Sequence, residues 1–533
     1  MKRDLDGLNH GPFDLLVVGG GIYGAWTAYD AALRGLKVAL VERDDWAAGT
    51  SSASSKLIHG GLRYLRHLWV RTVQKSLLER RTLTKIAPHQ VRPLRFLFPT
   101  YRHHPVNRLS ITFGLTLYDL LAGRNQPVAR HRTLRREAVA KAYPFLRTDA
   151  LAGGFFYGDC GTDDARLTCE VVAAAQGAGA VVVNHAQATE LLRANGRVAG
   201  AAVVDGNGGA TVEVRAKVTV AATGPWSRAL LAGATRGRLC RFTKGVHLVL
   251  PALPCSDAML LVAASDGRVF FLIPWYGKTL VGTTDTAYEG NPDAVGVEQA
   301  DVDYLLSELR VHVPGLGWGE SDILGRFAGL RTLRNVHGVA PSAVTREWRL
   351  ESPEPGLLLP VGGKLTSARV DVGQVVAGVM KALGRPVGSL PTERPLPWAP
   401  EGPFAPWQEQ MQAAGVAAGL DAETAHWATH RFGTRVVDLH GLLRERPDLS
   451  RRVVVTAPFC RAEILLAARE EMAMTLADAL RRRVPATLFA DIDREVAVDA
   501  AALMGEVLGW DAARQGREVA DFLGTGDATG AGW

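Results

Sequence analysis

Asp14-Leu15-Leu16-Val17-Val18-Gly19-Gly20-Gly21-Ile22-Tyr23-Gly24 is a short apolar run that ends in a cluster of glycines. Beyond it, Ala25 to Leu33 is alanine-rich and helical, closed by Arg34-Gly35. Lys37-Val38-Ala39-Leu40-Val41 is a second apolar run and ends in Glu42. Strand, turn, helix and strand thus follow one another within about 30 residues, the size of one βαβ unit. In Gly19-x-Gly21-x-x-Gly24 the first glycine permits a tight turn. The second lets backbone approach a pyrophosphate, and the third lets the helix pack on the strand. The diphosphate is expected on free amides where Ile22 and Tyr23 open the helix. Glu42 and Arg43 stand at the end of the next strand, where a carboxylate accepts hydrogen bonds from ribose hydroxyls. The stretch predicts a dinucleotide without choosing which one.

The following segment makes the choice. Thr50-Ser51-Ser52-Ala53-Ser54-Ser55-Lys56-Leu57-Ile58-His59-Gly60-Gly61-Leu62-Arg63-Tyr64 is dense in hydroxyls and ends in His, Arg and Tyr. Hydroxyls and amides at a loop-to-helix start suit a second phosphate contact and the edge of a flavin. The expected cofactor is FAD.

The whole chain, of 533 residues, has room for two or three domains. Its apolar share of 47% and charged share of 22% are those of a globular protein. Five cysteines, an odd number with no Cys-x-x-Cys pair, argue against a disulfide framework or a zinc site and for a reducing compartment. No metal site is expected. The N-terminus lacks the apolar core of a secretory signal, and no stretch reaches the ~18 apolar residues of a membrane span. The net charge of +7 is uneven: residues 61–150 hold 18 Lys/Arg against four Asp/Glu. Such a patch attracts nucleic acid, anionic lipid or an anionic substrate, or is a solvated surface. There is no nucleic-acid module signature, and no nucleic-acid partner is expected.

The expected fold class is α/β. A Rossmann-type FAD-binding domain carries an inserted mixed or antiparallel-sheet substrate domain and an all-helical C-terminal domain. The FAD-binding domain takes residues 1–90, 151–235 and 341–383. Residues 91–150 are read as a basic, helical, membrane-surface segment, within which Val106–Leu121 either lies on a membrane or is a core helix. The β-rich runs of 236–340 make the substrate domain. Seven prolines stiffen a linker at 384–407, and 408–533 is helical with a tail, Gly524–Gly532, expected to fray.

Several strings resemble the FAD-dependent (aerobic, respiratory) glycerol-3-phosphate dehydrogenases, flavoproteins of the glycine-oxidase/D-amino-acid-oxidase type. They are the Gly19–Gly24 turn, Thr50–Leu65, Phe156–Leu167, Ala222–Trp226, Lys244-Gly245-Val246-His247, Ile273-Pro274-Trp275, Gly282-Thr283-Thr284-Asp285 and Gly362-Gly363-Lys364-Leu365-Thr366. Arg461-Ala462-Glu463, Arg469–Ala473 and Ala479–Arg483 match in the last domain. The resemblance implies that Ala222, Thr223, Gly224 and Trp226 close over the flavin nucleotide and that Ala188 offers backbone to adenine. Gly363, Lys364, Leu365 and Thr366 would face the flavin carbonyl.

A phosphorylated substrate asks for bidentate arginines. The resemblance points to Arg63, Tyr64, Arg331, Arg346 and Lys364. Arg331 and Arg346 are expected to clamp phosphate, with Arg63 and Lys364 at the hydroxyl or flavin end. His247 and His59 are the candidate bases for the C2 hydroxyl proton as hydride passes to flavin N5. FAD is expected to be non-covalent. Val246, Leu330, Thr332, Ser367 and Ala368 depart from the family pattern.

The reading that follows is oxidation of sn-glycerol 3-phosphate to dihydroxyacetone phosphate, with electrons passed to a membrane quinone. The enzyme would be cytoplasmic, docked on the anionic inner face of the cell membrane, and a homodimer is left open. Three other readings are an oxidase that makes peroxide from O2, a flavin-bound scaffold or sensor, and an amine or amino-acid oxidase.

Overall fold

The computed structural model of the chain describes residues 1–102, 107–230, 240–334 and 347–525. Arg346 and the end of the Gly524–Gly532 tail lie outside the described residues.

Five strands build a parallel sheet in the order Leu357–Val361, Thr211–Ala221, Phe13–Val18, Val38–Val41, Val181–Val183. Leu15 stands opposite Val218 on one side and Val38 on the other. Every residue of Phe13–Val18 and Val38–Val41 is buried, because both faces of the parallel sheet are covered, one by helices and the other by the strands Ala186–Ala194 and Arg197–Asp205, which leaves no polar alternation. Helix Ile22–Leu33 packs on one face with Asp164–Gly177 and Ala368–Ala382. Asn195-Gly196 turns the hairpin of Ala186–Ala194 and Arg197–Asp205, which extends the outer part of Thr211–Ala221.

A second sheet runs Thr286–Tyr288, Cys240–Leu250, Lys278–Gly282, Val269–Trp275, Ala258–Val262, Arg92–Tyr101, Leu151–Gly161, Leu57–Ile58. Pairing is antiparallel except between Ala258–Val262 and Arg92–Tyr101. Gly325–Arg334 pairs with Cys240–Leu250 and sets Phe327 opposite His247 and Arg331 opposite Thr243.

The segment 91–150, expected to be helical, opens with the strand Arg92–Tyr101. Pro93 and Arg95 are exposed and alternate with the half-buried Arg92 and Leu94, and Phe96 onward is buried. Pro93 and Arg95 supply the outward half of a two-residue period, and with Arg92 on the inward half the stretch reads as a charge run. Helix Arg108–Ala122 follows.

The C-terminal region is helical, from Phe404–Ala417 to Ala512–Gly524. The proline-rich stretch before it is packed down rather than free. Leu396 and Trp398 are buried, the Leu396 amide donates to the Ile86 carbonyl, and the Trp398 amide donates to Glu170.

Candidate active site

The parallel sheet delivers the Gly19–Gly24 turn to the mouth of a cleft of 470 Å³. Gly24 cannot carry a side chain, since a Cβ there would lie 1.8 Å from the Gly19 carbonyl oxygen. Gly19 has φ +108°, and a Cβ on it would meet the Ala222 carbonyl. Gly20 rests on the buried Trp46 ring. This is the close-packed backbone turn a pyrophosphate needs, with no side chain on the turn's own glycines. The Ile22 amide donates to Ser51 Oγ (2.8 Å). Glu42 faces the cleft and accepts from the amides of Gly20 and Asp44. Burial pushes its carboxyl up to about 7.

The Ala222–Trp226 turn lines the same cleft with Ala188 and Arg43. Arg43 stacks over the Trp226 ring at 5.0 Å, and both reach Asp293. Opposite, Gly363 (φ +102°) sits so near the Tyr23 hydroxyl that a Cβ would meet it at 1.9 Å. That hydroxyl donates to Asp371 (2.6 Å), which also accepts from Lys75 and Ser367. Lys364, Leu365 and Thr366 line the cleft, and the His59 amide donates to Thr366 Oγ1 (3.2 Å).

The second sheet supplies the other wall. His247 is 1% exposed, its Nε2 is 2.9 Å from Ser55 Oγ, and its ring stacks on Phe327 at 4.9 Å. Burial, reinforced by the charges of Arg331 and Lys56, lowers it to about 3, so the imidazole is neutral throughout the physiological range. Arg331 donates to Thr283 Oγ1 (2.8 Å), Asp285 (3.1 Å) and the Thr284 carbonyl (3.2 Å). Arg63 and Lys364 each lie 5.1 Å from the centroid of the Tyr64 ring.

The expected residues Gly19, Gly21, Ile22, Tyr23, Glu42, Arg43, Thr50, Ser51, Ser54, Ser55, Leu57, His59, Gly61, Arg63, Arg331 and Lys364 therefore meet in one cleft. Gly24, Lys56, Gly60 and Tyr64 do not line it. Lys56 turns inward, where its ammonium pairs with the buried Asp164. A Cβ on Gly60 would strike Tyr118, so Gly60 serves packing. Tyr64 is 4% exposed and acts as a platform for the two cations. Two departures from the family pattern, Val246 and Ala368, are buried in cores away from the cleft.

Sequence reading missed Thr283 and Asp285, which steady Arg331. It also missed Gly245, where a Cβ would lie 2.2 Å from the Arg331 guanidinium. All three belong to strings already singled out, but nothing in a string says which strand faces which. Asp164, which accepts from the Ser54 amide and Lys56, and Asp159, which accepts from the Gly60 amide and Arg80, pin the Thr50–Gly61 loop from behind. Among the described residues there is no cluster able to hold a metal ion.

A nucleotide cradle on a parallel sheet, facing a neutral histidine and an arginine on an antiparallel one, defines an FAD-dependent oxidoreductase. Residues 14–358 match the family model described as FAD dependent oxidoreductase, and 395–515 match the C-terminal domain of alpha-glycerophosphate oxidase. The chain is 36% identical to glycerol-3-phosphate dehydrogenase 2 of Mycobacterium tuberculosis over 96% of its own length and 87% of the relative's. It is 34% identical to the aerobic glycerol-3-phosphate dehydrogenase of Staphylococcus epidermidis over 91% and 89%. The crystal structure of the Bacillus halodurans glycerol-3-phosphate dehydrogenase complexed with FAD superposes with a TM-score of 0.78 at 26% identity, covering 99% of this chain and 96% of that one. The chain belongs to the FAD-dependent glycerol-3-phosphate dehydrogenase family.

Proposed function

We propose that this enzyme oxidises sn-glycerol 3-phosphate to dihydroxyacetone phosphate and passes the electrons to a membrane quinone. The observation that carries the reading is the convergence of His247, Arg331, Arg63 and Lys364 on one cleft with the nucleotide cradle. The names of the relatives support the substrate. FAD, when bound, supplies the hydride acceptor. Arg331, aimed by Thr283 and Asp285, holds the phosphate, with Arg346 as its expected partner. Arg63 and Lys364, braced on Tyr64, fix the glycerol end. His247 and His59 are the candidate acceptors of the C2 hydroxyl proton; His247 Nε2 lies on Ser55, and its Nδ1 has no partner among the described residues. FAD is held non-covalently, so acid precipitation should release all the flavin; flavin left on the protein would contradict this.

The quinone reading draws on an apolar surface. Helix Arg108–Ala122 buries Ile111, Leu115, Tyr118 and Ala122, yet Leu109 (82%), Phe113 (71%) and Leu120 (71%) are exposed on it. Leu68 is exposed as well, and exposed arginines (Arg71, Arg102, Arg124) flank these elements in the chain. No helix among the described residues is long and apolar enough to cross a membrane. Docking on the inner leaflet without spanning it suits this arrangement. The competing reading, transfer to O2, is favoured by the match of residues 395–515 to a glycerophosphate oxidase domain. Rapid bleaching of the flavin by glycerol 3-phosphate, with turnover on a soluble quinone and little peroxide, is expected. Stoichiometric peroxide would establish the oxidase, and no bleaching would remove both.

A further inference from the structure

Asp45 is fully buried three residues beyond Glu42 and accepts four hydrogen bonds. Two come from Arg483 (2.7 and 2.8 Å), one from Arg482 Nε (2.6 Å) and one from Asn184 (3.1 Å). Both arginines belong to the single π-helical turn Asp478–Arg483 of the C-terminal region. A buried carboxylate with two guanidiniums costs desolvation on every partner and is retained only where its geometry is satisfied. Here every contact bears on the nucleotide cradle. The Asp44 amide donates to Glu42 (2.9 Å), and the Ala47 amide donates to the Gly20 carbonyl (3.1 Å). Trp46, between them, is the ring on which Gly20 rests. The Asp44 carbonyl accepts from the His185 amide (2.6 Å). The His185 ring reaches Asp478 (2.8 Å), and Asp478 accepts from Arg482 (2.6 Å). The loop 42–47 is thus tied at one end to the pyrophosphate turn and at the other to the C-terminal helices.

We propose that Asp45, Arg482 and Arg483 form a clamp by which the C-terminal helical region holds the adenosine end of the FAD site in shape. Retention of the cofactor then depends on arginines that touch neither flavin nor substrate. The three are positioning residues, acting through Glu42 and Gly20. Linkage makes the effect reciprocal: bound FAD tightens the docking of the C-terminal region. The inference rests on the FAD reading of the cleft.

The test is the rate of FAD release from purified holoenzyme, followed by the rise in flavin fluorescence on dilution. Asp45→Asn and Arg482→Gln are expected to speed release about tenfold, the weight of one buried charged hydrogen bond. With FAD in excess, KM for glycerol 3-phosphate should stay at the wild-type value. Arg461→Gln breaks a pair with Asp499 inside the same helical region and should leave release unchanged. Combined with Glu42→Gln, Asp45→Asn should add less than its own factor, because both act on one loop. Wild-type release in Asp45→Asn, or a double variant whose effects simply multiply, overturns the clamp. If Asp45→Asn gives no folded protein, Arg482→Gln decides alone, since Asp45 keeps its Arg483 pair. A wild-type enzyme that binds no FAD would instead defeat the cofactor reading.

Discussion

Gly245 and Arg331 are neighbours across a strand pair, and the glycine leaves the space in which the guanidinium lies. A methyl group at 245 would displace both the Arg331 guanidinium and the Thr283 hydroxyl that holds it. Gly245→Ala should therefore cost about 1–3 kcal/mol of stability while raising KM for glycerol 3-phosphate, about tenfold if one charged hydrogen bond is lost. Arg331→Ala should raise it further, with flavin content intact in both; unchanged kinetics in either would remove Arg331 from the phosphate. His247 carries a second prediction. Its folded value of about 3 lies below the ordinary 6.5, so below 6.5 the unfolded chain gains a proton that the folded chain refuses. Stability is unaffected above that value and falls by up to about 1.4 kcal/mol per unit as pH drops toward 3. Urea unfolding at stepped pH should show a shallower slope in His247→Asn; equal slopes would mean that the ring is charged when folded. The histidine and the arginine were legible as residue types in recognisable strings. Their partners were not, because Thr283, Asp285, Lys56 and Phe327 arrive from distant parts of the chain through strand register.

Helix Arg108–Ala122 shows what periodicity can say at the level of an element. Its length and apolarity were legible, and two roles stayed open, core or membrane. The structure gives it two faces: one stripe is buried against the Arg92–Tyr101 and Leu151–Gly161 strands, and Leu109, Phe113 and Leu120 form another that faces outward. If that outer stripe seats in an anionic leaflet, each apolar side chain removed from water contributes about 1.5–3 kcal/mol. Phe113→Gln with Leu120→Gln should then weaken sedimentation with phosphatidylglycerol vesicles at least about tenfold and spare activity on a soluble dye. Retained vesicle binding would sink the docking surface. The neighbouring strand Arg92–Tyr101 was not legible, since its outward positions are arginine and proline and its charge run read as helix. By contrast the βαβ unit at Phe13–Val41 was, because glycines with steric reasons to be there mark its turn.

For the molecule as a whole, the C-terminal region was legible as helical but its purpose was not, because what joins it to the nucleotide half is side-chain pairing across hundreds of residues. Asp45 with Arg482 and Arg483 is one such junction, and Glu471 is another. Glu471 is fully buried at the end of helix Arg461–Glu470 and accepts from Arg166 (2.9 Å), at the start of a helix behind the parallel sheet, and from Arg435 (2.6 Å). Burial works to raise its carboxyl, but the two guanidiniums prevail and hold it well below the carboxylate range. A depressed acid contributes stability that is fully present above its unfolded value of about 4.3 and is lost as pH falls below it. The junction should accordingly hold across pH 5–8 and loosen in acid, in a window that opens at lower pH than the one set by His247 and extends below it. Glu471→Gln takes from the fully buried Arg166 its carboxylate partner, while Arg435 keeps Glu470, so at pH 7 it should cost about 3–5 kcal/mol. From about pH 4.3 downward the wild type progressively loses this contribution, and the gap between the two proteins should narrow with each unit of pH. Urea midpoints at pH 7 and in acid measure both. A gap that persists undiminished at low pH would mean that Glu471 packs the junction by shape rather than by charge.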